Sequence, residues 1–145
     1  MKLAYTIVLG AALLIRPAIA MLAEEGAMAP LPAEKTAGQV HYVTGGVGHE
    51  EAEAFRQAQR EYSLALEFGN QTKPRAQFTA NVNVLILDAR GTTVLDAVSD
   101  GPFLLAKLPA GRYTIRATQN GRTLDRAATV AGGKSTHVAF LWPDE

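Results

Sequence analysis

The sequence predicts a mainly β protein: an antiparallel seven-stranded β-sandwich with one N-terminal helix packed on it. Two observations carry that expectation. Apolar and polar residues alternate with period two over several stretches, as they do in strands with one wet face. Between those stretches, turn residues recur roughly every eight to twelve positions, with no helical pattern intervening.

Taken in order, His41-Tyr42-Val43-Thr44 predicts a short strand, which Gly45-Gly46-Val47-Gly48 interrupts. A helix is expected from about His49 to Arg60. Glu50, Glu51 and Glu53 fall in its first turns and Arg56 and Arg60 near its end, an order that complements the helix dipole. Phe55 is its one large apolar anchor, so the helix should lie on something larger rather than build a bundle.

Tyr62, Leu64, Leu66 and Phe68 alternate with Ser63, Ala65 and Glu67, which makes the first strand of the sandwich. Gly69 to Gln77 is polar, contains Pro74 and is expected to be a loop. Thr79 to Leu87 is the second strand, turned by Asp88-Ala89-Arg90-Gly91 into a third over Thr92 to Val98. Asp100-Gly101-Pro102 reverses the chain, because Gly tolerates positive φ and Pro fixes its own. Phe103 to Leu108 is the fourth strand, a short apolar run ended by Pro109-Ala110-Gly111. Arg112, Thr114, Arg116 and Thr118 alternate with Tyr113, Ile115 and Ala117 in the fifth. Asn120-Gly121 is a strong hairpin signal, since both residues accept positive φ. Arg122 to Val130 is the sixth strand. After Ala131-Gly132-Gly133-Lys134, residues Thr136, Val138, Phe140 and Trp142 mark the seventh.

The N-terminus carries the pattern of a secretory signal. Lys2 is the positive end, Leu3 to Ile15 an apolar run, and Ala18-Ile19-Ala20 a small-residue cleavage site before Met21. The alternative is an uncleaved anchor, for which the run falls short of the ~20 residues that span a bilayer. The expected division is therefore residues 1–20 as signal peptide, 21–40 as a flexible leader, 41–61 as the glycine-rich turn and helix, and 62–145 as the sandwich. This implies a periplasmic or secreted protein with no membrane span after cleavage. Hydrophobic content of 48% suits a globular chain. A formal net charge of +0 gives no reason to expect nucleic acid. With no cysteine, disulfides, thiolate catalysis and thiolate metal sites are excluded.

The run Asp100-Gly101-x-Phe103, then Leu108-Pro109-Ala110-Gly111-x-Tyr113-x-Ile115, resembles the signature of carboxypeptidase regulatory-like domains, within the transthyretin-like or prealbumin-like sandwiches. Val84-x-Ile86-x-Asp88-Ala89-x-Gly91-x-x-Val94 resembles that family's first strand and turn, and the likeness runs from about Ala80 to Trp142. Tyr42 to Gly48 with the Glu-rich helix is similar to a group of small exported proteobacterial proteins carrying that domain. The resemblance implies a prealbumin-like fold. It implies little about function, since such sandwiches serve as spacers, binding modules or appendages. Some relatives form a Lys–Asn isopeptide crosslink; here the last strand has no Asn and Lys73 falls in the loop, so none is expected.

Two places are candidate interaction sites. Gly45, Gly46 and Gly48, before His49, would hold an anion on backbone amides or would simply break the strand and start the helix. No Lys-Ser/Thr follows them, and His49-Glu50-Glu51 would repel a phosphate. Arg112 and Arg116 with Arg122 and Arg126 across the Asn120-Gly121 turn would gather four cations for an anionic partner, or would decorate an outward face. His41, His49, Glu50 and Glu51 are residue types that ligate metals, but their spacing fits no ligand motif, so no metal or cofactor is expected. Ser63, Ser99 and Ser135 lack a nucleophile-elbow context, so no catalytic residue is assigned. Tyr113, Phe140 and Trp142 fall on alternating apolar faces, as core residues do. The expectation is a non-enzymatic module for a protein partner at the cell envelope. The alternative is a carbohydrate- or small-ligand-binding module; a metal- or anion-dependent enzyme ranks third. An apolar exposed patch at the Gly45–Gly48 turn would favour the protein partner, and a clustered aromatic face the carbohydrate.

Overall fold

Val82, Val84 and Ile86 are fully buried while Asn83 between them is exposed, so the alternation does set the faces of this strand. The computed structural model describes residues 30–72 and 76–143. The expected signal peptide and cleavage site, the expected leader up to residue 29, and Lys73 and Pro74 lie outside the described residues. The elements are β1 (Lys35–Ala37), β2 (Val40–Gly45), α1 (His49–Ala58) with a 3-10 turn over Gln59–Glu61, β3 (Leu64–Asn70), β4 (Gln77–Phe78), β5 (Val82–Asp88), β6 (Thr93–Ser99), β7 (Phe103–Lys107), β8 (Gly111–Gln119), β9 (Arg122–Val130) and β10 (Thr136–Trp142).

The chain is mainly β, with two sheets and one short helix. The larger sheet runs β1-β2-β7-β3-β10 with β4 attached to β3, and the smaller runs β6-β5-β8-β9. Three details depart from the expected seven antiparallel strands. First, β10 runs parallel to β3, Thr136 opposite Leu64 through Trp142 opposite Asn70. Side-chain alternation fixes which face a residue takes and is silent on strand direction. Secondly, residues 35–37 of the expected leader form β1, paired with β2 at Lys35–Tyr42 and Ala37–Val40. That short strand takes its order from its neighbour and carries no period of its own. Thirdly, the polar loop ends in β4, which places Phe78 opposite Gly69.

The two sheets enclose the main core. Leu64, Leu66 and Phe68 of β3, Leu104 of β7, Ile115 of β8 and Phe140 and Trp142 of β10 lie in it with Val82, Val84 and Ile86. A second cluster lies on the other face of the larger sheet, where Ala52 and Phe55 of α1 cover Val43, Ala65, Phe103 and Leu105. The helix thus adds a third layer, and β3 and β7 are buried on both faces. Phe55 and Phe103 stack with ring centroids 5.7 Å apart. On the β9–β10 side, the Trp142 indole donates to the Arg122 carbonyl at 2.9 Å and the Thr136 hydroxyl to the Thr129 carbonyl at 2.9 Å, tying the two sheets together.

The turns that bracket β7 have physical roles. The Tyr113 hydroxyl donates to the Pro109 carbonyl at 2.7 Å and so locks the Pro109–Gly111 turn. Ser99, fully buried, donates to the Gly101 carbonyl at 2.7 Å across the Asp100–Gly101 turn. These are framework bonds, and Ser63 makes another: its hydroxyl accepts the Leu108 amide at 2.7 Å.

Candidate functional site

The glycine-rich turn is made by close packing. Gly45, Gly46 and Gly48 take φ of 152°, 95° and 89°. A Cβ on Gly46 would strike the Phe103 ring, and one on Gly45 the Glu51 carboxylate and the Phe55 ring. A Cβ on Gly101 would meet the Gly45 carbonyl, so the two glycine-bearing turns pack backbone to backbone. Asp100 joins them: the Thr44 hydroxyl donates to its Oδ2 at 3.1 Å and Lys35 Nζ reaches the same oxygen at 3.0 Å. The Lys35 bond, then the Thr44 bond, holds the Asp100 carboxyl below its ordinary value. Glu51 reaches back from the first turn of α1 to accept the Gly46 amide at 2.8 Å, a variant of the capping box. An anion at this turn would have to displace that carboxylate. The arrangement fits the conformational role of the glycines.

Beside the turn lies a groove of about 400 Å³. One wall is the turn and helix, from Gly46 to His49 with Ala52 and Arg56; the other is Phe78, Thr79 and Ala80, and Pro102 also lines it. Val47 is 67% exposed and Phe78 53% exposed, both large apolar side chains left in water. Phe78 is held by β4, by the Thr79 amide donating to the Phe68 carbonyl at 3.2 Å, and by the Phe103 ring 5.8 Å away. The Arg56 guanidinium sits 5.7 Å from the centroids of both Phe78 and Phe103, within cation–π range. Behind Phe78 a smaller depression of about 210 Å³ runs between Glu67–Gly69 and Ala139–Leu141. Phe78 is therefore a ridge with a hollow on each side.

Gly46, Gly48 and His49 line the groove, and Gly45 is buried beneath it. The four arginines do not gather. Asn120-Gly121 makes a two-residue turn that pairs Gln119 with Arg122 and Arg116 with Asp125. Arg112 and Arg116 therefore share one face of the smaller sheet, and Arg122 and Arg126 the other. Arg116 pairs with Asp125 at 3.0 Å, Arg122 donates to the Pro143 carbonyl at 2.9 Å, and Arg126 lies 5.9 Å over the Phe140 ring. The gathering of four cations therefore does not occur, and Arg112 and Arg116 decorate an outward face, the other reading of these residues. A two-residue hairpin makes residues summing to the same value as Gln119 and Arg122 face partners, so this split was readable from the turn length.

His41 is held at 3.1 Å by Glu34, whose other oxygen accepts from Tyr62 at 2.8 Å and lies 3.4 Å from Lys107 Nζ. His49 stands apart from this group on the groove. Among the described residues, no three His, Asp or Glu side chains converge as a metal site requires. Tyr113, Phe140 and Trp142 are buried. Sequence reasoning missed Phe78 and Arg56 as groove residues. The available signal for Phe78 was an aromatic residue standing alone between a polar loop and an alternating strand.

Neither a protein-family model nor a curated protein matches the chain. Among the described residues no helix is long and apolar enough to cross a membrane.

Proposed function

We propose that this is an exported, non-enzymatic β-sandwich of the carboxypeptidase regulatory-like, prealbumin-like type, acting as a binding module for a protein partner at the cell envelope. The observation that carries the reading is the groove beside the glycine-rich turn, where Val47 and Phe78 leave much of their apolar surface in water. Its rigid setting supports the same reading. The groove wall is fixed by the Gly46–Phe103 and Gly45–Gly101 contacts, so little ordering is needed on binding. The family and export parts of the proposal rest on the Asp100–Gly101 and Leu108–Gly111 turn motifs and on the signal-like N-terminus.

The test is capture from a periplasmic extract with the native chain and with Phe78→Ser, followed by mass spectrometry. A protein retained by the native chain and lost with Phe78→Ser is the expected result. Retention of a glycan in its place, or of the same proteins by both chains, overturns the reading.

A further inference from the structure

The groove is apolar, and Arg56 is the charged side chain in its lining. His49 and Arg56 are its titratable lining residues, and no carboxylate lines it. Two carboxylates already engage lining residues: Glu51 accepts the Gly46 amide, and Glu53 pairs with one nitrogen of Arg56 from along the helix. Arg56 is pre-oriented by the Phe78 and Phe103 rings, and a guanidinium with one nitrogen engaged keeps further N–H donors for an incoming carboxylate.

We propose that the groove takes an extended peptide segment of the partner that seats a large apolar side chain between Val47 and Phe78 and sets a carboxylate side chain on Arg56. This rests on the reading of the groove as a protein-docking surface and names the chemistry of its occupant. In an extended peptide, residues i and i+2 share a face about 7 Å apart, so the expected pattern is apolar–any–acidic. The apolar side chain supplies affinity by burial, and the charge pair supplies selection between partners.

The full chain, labelled with ¹⁵N, is titrated at low salt with acetyl-Ala-Leu-Ala-Glu-Ala-amide and with the same peptide carrying Lys for Glu. The Glu peptide is expected to bind about tenfold more tightly and to shift the amides of Gly46, Gly48 and Phe78. Arg56→Gln should level the two peptides, Arg56→Glu should reverse their order, and Phe78→Ser should weaken both by a similar factor. Equal affinity of the native chain for the two peptides overturns the proposal while leaving the groove's protein-docking role standing. A preference unchanged in Arg56→Gln, or a Glu peptide that moves no groove amide, overturns it as well.

Discussion

Gly46 and Gly48 are two residues apart and need glycine for different reasons. Both hold positive φ, at 95° and 89°. A Cβ on Gly48 would meet nothing within 4 Å, whereas one on Gly46 would enter the Phe103 ring. Gly48→Ala is therefore expected to lose about 1–3 kcal/mol through backbone strain alone. Gly46→Ala should lose a further ~1–3 kcal/mol through overpacking, and should displace Phe103 and the Arg56 and Phe78 that lean on it. Urea unfolding of the two variants checks the order. Equal losses would mean that Phe103 moves aside freely and that the groove wall is soft. At this scale the sequence announced the need for glycine but not its cause. The missing Lys-Ser/Thr and the following His49-Glu50-Glu51 already favour a conformational role for Gly45-Gly46-Val47-Gly48 over an anion-holding loop, and the Glu51 carboxylate on the Gly46 amide agrees with it.

The stretch from residue 30 through β1 is an element that side chains hold in place. Leu31 packs against the cluster under α1, Glu34 accepts the Tyr62 hydroxyl, and Lys35 pairs with Asp100. It belongs to the sequence from Met21 to Gln39, which is rich in Ala, Glu and Pro and shows no period, so nothing local in the sequence marks it as a strand. The contrast with β8 and β9 is instructive. There the alternation and the Asn120-Gly121 turn were both legible, Asn120 and Gly121 taking φ of 49° and 74°, and only the register of the arginines was overlooked. Because the clasp is ionic, it gives stability a pH dependence. Glu34 is lowered from 4.5, chiefly by the Tyr62 hydrogen bond, and Asp100 from 3.8, chiefly by Lys35. A depressed carboxyl stabilises the fold above its unfolded value, and that contribution is lost as pH falls through the folded value. Stability should thus decline on acidification below about pH 4.5. Tyr62 is pushed up to about 12, first by burial and then by Glu34. Its contribution is complete below its ordinary value of 10.0 and is lost as pH rises toward about 12. Tyr62→Phe should shrink both arms of the urea midpoint–pH profile, since it removes the alkaline titration and the bond that lowers Glu34. An unchanged acid arm in that variant would show that Glu34 is not held by Tyr62 in solution.

At the scale of the whole molecule, the two-sheet class was legible because alternation and turns agreed along half the chain. Sheet order was not, since the pairing of β3 with β10 joins stretches far apart in sequence and runs parallel. The helix layer was legible only as one apolar anchor, Phe55, seeking a surface. That surface turns out to be the outer face of β3 and β7, whose inner faces build the sandwich core. Leu64 and Leu66 point into one cluster and Ala65 into the other, as Leu104 and Leu105 do. Two cores that share their strands should melt together, because neither can lose its packing without loosening the backbone that carries the other. Phe55→Ala empties the centre of the helix-side cluster and is expected to lose about 3–5 kcal/mol. Trp142 lies in the other cluster and is the chain's single tryptophan, so its fluorescence reports the sandwich alone. In Phe55→Ala the Trp142 transition and the far-ultraviolet circular dichroism transition should move together to lower urea. If Trp142 keeps its native midpoint while helical signal is lost early, the helix layer is a separately melting unit, and the groove it helps to wall would open without disturbing the sandwich beneath.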